Sequence, residues 1–247
     1  ASTPDGARKA AAQAVTDGAQ LILGPLSRDE VGALFSQADA GIPVIALNRG
    51  SEAPPTGNAS FALLPDDEGL FAADRLANRG QLKVLVISQR DENGQRALVT
   101  FREQLRARGG DIVGEIVVDD TATNLATQLS PLLAAGRTAP VAVFMPLRAA
   151  QARLVVAQLK VSPIAMLPRV STSLILSGAS ASKDGELDGV EFPELPWLLG
   201  TRAGYPDAGA MADKLLTASG PSQRLFAFGL DAWKLAAYFD RFGVDPG

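Results

Sequence analysis

Short apolar runs that alternate with helical patterns constrain this chain more than any other feature. "AQLILG" (19–24), "IPVIALN" (42–48), "KVLVIS" (83–88), "DIVGEIVVDD" (111–120) and "APVAVFMP" (139–146) are rich in Val, Ile and Leu. They are nearly continuous apolar runs, the pattern of strands covered on both faces. Between them the period changes. In 92–108 the residues Ala97, Leu98, Phe101 and Leu105 share one helical stripe, and in 147–159 Leu147, Ala150 and Leu154 do. Gly109-Gly110 ends the first of these helices and Gly80 the helix before it. Strands alternating with helices predict βαβ units and parallel sheets. The 247 residues, 47% apolar and 20% charged, suffice for one large or two small domains.

The alternation has one break. "RGSEAPPTGNAS" (49–60) is a Pro/Gly/Ser-rich loop. It is followed by "FALLPDDEG" (61–69), read as a short strand, a proline and an acidic helix start. Leu64–Pro65 is then a passage between two lobes. The second Pro/Gly-rich zone, 177–200, contains the return, and the last segment, 224–242, is helical with Phe228, Ala232, Leu235 and Phe239 on one stripe. The predicted architecture is α/β: two Rossmann-like lobes with parallel sheets joined by crossover segments. Residues 1–64 with 199–247 form the first lobe and 65–198 the second. The chain opens in a helix with no strand before it and stops just past a helix. A doubly wound lobe needs its first strand at the sheet centre, so the first lobe is expected to lack its opening strand and the chain to be a piece of a longer one.

Two residue types are absent altogether. With no His and no Cys, Ser-His-Asp and Cys-His catalysis, imidazole and thiolate metal sites and disulfides are all excluded. Catalysis would fall to carboxylates, Lys, Tyr or a Ser-Lys pair. Asp66-Asp67-Glu68, Asp91-Glu92 and Asp119-Asp120 are sequence neighbours without the spacing of a catalytic dyad, and read as a helix start and strand-end turns. The formal charge of −4, with no basic block, leaves no electrostatic footprint for nucleic acid. No apolar run approaches the roughly 18 residues of a bilayer span.

Six blocks together resemble a known family: "DGAQLILGPLSRDEVGAL" (17–34), "IPVIALNR" (42–49), "FALLPDDEG" (61–69), "RVSTSL" (169–174), "LDGVEFPELPWLL" (187–199) and "LFAFGLDAW" (225–233). In this order they are similar to the penicillin-binding protein activator family of LpoA/LppC lipoproteins, in its C-terminal domain of type I periplasmic-binding-protein fold. The last two blocks carry the specificity, because the first pieces occur across binding proteins generally. The resemblance implies a non-enzymatic periplasmic domain without catalytic residues, cofactor or metal. It implies a parent anchored in the outer membrane of Gram-negative bacteria, through a lipid outside this chain. The implied partner is a class A penicillin-binding protein, the peptidoglycan glycosyltransferase and transpeptidase that such proteins activate.

In binding proteins of this type a ligand sits between the lobes, on loops at the carboxyl ends of strands. The candidate loops are 24–28, 48–50, 88–93 and 171–173, and the candidate ligand-binding residues are Ser27, Asn48, Arg49, Arg90 and Ser173. Ser27 has a second reading, as N-cap of a helix over 28–39 in a capping box with Glu30, and the S-x-x-E spacing favours it. Asn48-Arg49 stands where binding relatives carry a second hydroxyl, which puts amino-acid capture in doubt. Arg49 and Arg90 suit carboxylate recognition, or form surface ion pairs, Arg90 with Asp91 or Glu92. Asn58 in "GNAS" fits N-x-S without consequence in a bacterial protein. Trp233 is expected in the core, while Trp197 is left between hinge packing and a partner surface. Two functions follow: activation of a synthase through the outer surface, or reception of an amino acid, peptide or muropeptide in the cleft.

Overall fold

The computed structural model describes residues 3–36, 40–119, 124–134, 138–176 and 184–241. The fold is α/β with two all-parallel sheets, one in each of two compact units. The first unit draws its described residues from Ala1–Leu63 and Arg224–Gly247, the second from Leu64–Gln223. Residues 199–223, placed with the first lobe from the sequence, thus fall in the second unit. The passage at Leu63/Leu64 lies one residue from the expected one.

In the first unit, α1 (Pro4–Thr16) starts at Thr3, whose side chain accepts the Gly6 amide, with Pro4 at the position where a missing N–H is harmless. Strands β1 (Ile22–Leu23), β2 (Val44–Ala46) and β3 (Ala59–Ser60) pair in parallel in that order, Ile22 against Val44 and Ile45 against Ala59. The strand expected within 61–69 lies two residues earlier, because Asn58 Oδ1 accepts the Val44 amide and sets the register there. Helix α2 (Arg28–Phe35) packs Val31, Leu34 and Phe35 with Ala11, Val44 and Ala46. The ring of Phe61 stacks on Phe228 at 4.7 Å, which ties the segment after β3 to the long terminal helix (Gln223–Tyr238).

The second unit contains β4 (Lys83–Gln89), β5 (Asp111–Val118), β6 (Ala142–Met145), β7 (Arg169–Ser171) and β8 (Val190–Glu191), in the order β5-β4-β6-β7-β8. Side chains alternate between faces with period two. Val84, Val86, Ala142 and Phe144 therefore meet Ala72, Leu76, Phe101 and Leu105 of helices α3 (Pro65–Ala77) and α4 (Glu92–Ala107). Leu85, Ile87, Val143 and Met145 meet the other side, built from α5 (Ala126–Leu132) and α6 (Ala149–Lys160). Both faces are covered, which is why these strands carry no polar alternation. Each fully buried Val, Leu, Ile or Phe adds roughly 1.5–3 kcal/mol. Gly80 and Gly109 follow α3 and α4 with φ of +69° and +81°, the left-handed turn that ends a helix.

Two apolar expectations are corrected. In α6 the buried residues are Ala152, Val155, Val156 and Leu159, while Ala150 and Leu154 are exposed. Leu147 is buried but precedes the helix, so it had set the wrong phase for the stripe. Trp233 is 72% exposed, not core, because Phe228 and Ala232 already fill the inner face of its helix. Trp197, at 6% exposure, sits in the short helix α7 (Pro196–Leu199) and donates its indole N–H to the Pro206 carbonyl at 2.7 Å. A further short helix, α8 (Ala208–Ala212), leads toward the terminal helix, α9 (Gln223–Tyr238). Among the described residues no helix is long and apolar enough to cross a membrane.

Candidate functional site

Parallel strands deliver their carboxyl ends to one edge of each sheet, and all five candidate residues lie on the loops there. Ser27, Asn48 and Arg49 belong to the first unit, Arg90 and Ser173 to the second.

Ser27 is exposed and is the N-cap of α2, its Oγ accepting the Glu30 amide at 3.4 Å. The helix itself stops at Phe35, short of the predicted 39; residues 37–39 lie outside the described residues. Asn48 is occupied differently. Its Nδ2 donates to the Leu26 carbonyl at 2.8 Å and its Oδ1 accepts the Arg49 amide at 2.9 Å. With Leu47 N–H donating to the Pro25 carbonyl at 2.9 Å, the loops after β1 and β2 are laced together. Behind them the backbone of Gly50 presses on α2: a Cβ there would stand 2.5 Å from the Gly32 nitrogen, so only glycine fits. Arg49 is exposed.

In the second unit Arg90 is exposed, and Asp91, one of the two acids weighed as its surface partner, pairs with Arg148. Asp91 caps α4, its Oδ1 accepting the Gly94 amide at 3.3 Å and lying 3.4 Å from the Arg148 guanidinium. Gln89, only 4% exposed, accepts the Arg148 amide at 2.9 Å and so fixes the loop after β6 against the end of β4. Ser171 donates its hydroxyl to the Met145 carbonyl. Both donors of Ser173 go to one side chain: its amide donates to Glu68 Oε2 at 2.7 Å and its hydroxyl to Glu68 Oε1 at 2.6 Å. Thr172 between them is fully buried, and its hydroxyl has no hydrogen-bond partner among the described residues.

The carboxylate runs resolve into separate tasks. Asp66 pairs with Arg96, and its carbonyl accepts the Thr100 hydroxyl at 2.6 Å, pinning α3 to α4; Glu68, two residues on, takes Ser173. In the third run Asp120 lies outside the described residues. Farther away, on edge strand β8, Glu191 is held by Arg75 at 2.9 Å and Arg79 at 2.6 Å. The hydrogen bond from Arg79, reinforced by Arg75, holds its carboxyl below the usual glutamate value against a smaller opposing effect of burial. Burial, which disfavours the charged form, lowers the pKa of Arg169 at the start of β7. Among the described residues no three carboxylates gather as a metal site would require. The loops thus present the capped helices α2 and α4 and the internally bonded Asn48, Gln89 and Ser173, with the Thr172 hydroxyl as an exception. Glu68, Gln89 and Arg148 were not predicted, because the partners described for them lie 57 to 105 residues away and no spacing motif marks them.

Residues 6–247 match the family model described as LppC putative lipoprotein. Among curated proteins, the penicillin-binding protein activator LpoA of Haemophilus ducreyi is 30% identical over 256 residues, covering 95% of this chain and 40% of that protein. The one from an Enterobacter species is 26% identical over 273 residues, covering 96% and 37%. This chain therefore spans about 40% of the length of the curated relatives it matches. Among solved structures, the C-domain of LpoA (YraM) from Haemophilus influenzae, described as a regulator of PBP1A, superposes with a TM-score of 0.76 at 21% identity, over 98% of this chain and 75% of that one. A putative branched-chain amino acid ABC transporter protein from Chromobacterium violaceum gives 0.70 at 27% identity, over 95% and 73%. The periplasmic-binding-protein type of fold expected from the sequence is the one these structures share.

Proposed function

The chain belongs to the LppC putative lipoprotein family, and on that premise we propose that it is a non-enzymatic domain that binds and activates a class A penicillin-binding protein, regulating peptidoglycan synthesis. Its place is the periplasm, with the parent protein held to the outer membrane by a lipid outside this chain. The observation that carries the reading is the match to the activator from Haemophilus ducreyi, which runs over 95% of the chain at 30% identity. Activation without chemistry requires only that the domain bind the active state of its partner better than the inactive one. A chain without His or Cys can do this as well as any other. The test is titration of the purified domain into the cognate synthase, with binding followed by calorimetry and glycan polymerisation and cross-linking followed together. A saturable rise in either activity is expected; binding absent at tens of micromolar would overturn the proposal.

The second reading, a receptor for an amino acid, peptide or muropeptide, is favoured by the 27% identity to the putative transporter protein. The internal engagement of Asn48 and Ser173 weighs against it. It requires a thermal shift with such a solute that follows RT ln(1 + [L]/Kd) and disappears in Asn48→Ala.

A further inference from the structure

Ser173 and Glu68 stand in a relation that ordinary surface pairs do not. One carboxylate accepts two short hydrogen bonds, from the amide at 2.7 Å and from the hydroxyl at 2.6 Å of a single residue, one on each oxygen. This is a bidentate grip of the kind that selects a carboxylate by shape as well as by charge. Both residues are half-buried, where such bonds are stronger than in water. The gripping residue lies directly beyond β7, at the carboxyl edge of a parallel sheet, where open α/β folds receive ligands. The gripped carboxylate lies in the first turn of α3, a few residues after the chain enters this unit at Leu64. That turn is separately fastened through Asp66 to Arg96 and Thr100 on α4.

We propose that the loop after β7 is a carboxylate-binding site whose resident ligand is the chain's own Glu68. An external carboxylate binds there only by displacing Glu68, and in doing so it unfastens the first turn of α3 from the loop. The site is an occupied latch. It stands independently of the synthase-activator reading.

The test uses the atoms that Glu68→Ala removes, which amount to an acetate ion. Thermal unfolding of the full 247-residue chain is followed at neutral pH in sodium acetate and in sodium chloride of equal ionic strength. For E68A the melting temperature falls in chloride and recovers by several degrees, saturably, in acetate, as a ligand bound only by the folded state requires. The unaltered chain, E68Q (which keeps the site filled) and the double variant E68A/S173A show no acetate-specific gain. Equal melting temperatures for E68A in the two salts would overturn the proposal, as would an equal acetate gain in the double variant. If E68A is unfolded in chloride, the readout becomes recovery of far-ultraviolet circular dichroism in acetate, and no recovery overturns it equally.

Discussion

Asn48 shows how far a side chain's role can depart from its address. It sits where a ligand contact is expected, yet both ends of its amide are used within its own unit, Nδ2 joining the loop after β1 and Oδ1 holding the next residue of its own loop. Removing it leaves the Leu26 carbonyl and the Arg49 amide without these partners. Asn48→Ala is therefore expected to destabilise the chain by about 1–3 kcal/mol, read as a shift of the urea midpoint. Ser27→Ala removes one long, exposed cap bond and falls at the low end of the roughly 0.5–2 kcal/mol for caps. An equal loss in the two would contradict this ranking. Glu191 predicts a pH effect with a definite sign. Its folded pKa lies below the ordinary value of 4.5, so its contribution is present above that value and is lost as pH falls toward the folded one. Stability measured from pH 7 to pH 3 is expected to fall less steeply in Glu191→Gln than in the unaltered chain. The effect is small, because Glu191 is 43% exposed and solvent screens the pair. The cap of Ser27 was legible in four consecutive residues. The partners of Asn48 and Ser173 were not, because tertiary folding alone brings them together.

At the scale of elements, the strands were legible where their apolar run is long, at the edge strand β5 as at the central β4, and the helices where their stripe is unbroken. Residues 83–88 and 92–108 became β4 and α4 almost as expected, since Ala97, Leu98, Phe101 and Leu105 all face the sheet. Helix α6 was misphased because its sequence is apolar nearly all round, so periodicity could not choose between faces. The correction is testable. Leu159→Ala, in the core, should cost about 2–5 kcal/mol, while Leu154→Ala, at 46% exposure, should stay within about 0.5 kcal/mol. Comparable losses in chemical denaturation would mean that the helix is rotated from the orientation described. Strand β8 and helices α5, α7 and α8 escaped prediction for lack of length: two to seven residues hold too little pattern to rise above loop.

At the scale of the whole molecule, the two tryptophans report on different units. Trp197 is buried in the second, and Trp233 is exposed on α9 in the first. Iodide is expected to quench Trp233 selectively, and Trp233→Phe to leave a blue-shifted emission that iodide barely reaches and that shifts red only when the second unit unfolds. Strong quenching of that variant in its folded state would contradict the burial of Trp197. The sequence by itself determined the α/β class, the parallel pairing and the family, because continuous apolar runs between helical stripes admit few other folds and because motif blocks are local. Only the tertiary structure decided where the chain returns between units, which face of α6 is inward and what the loop residues do. Those outcomes depend on groups brought within 3 Å across tens of residues of chain, and a linear pattern holds no information about such distances.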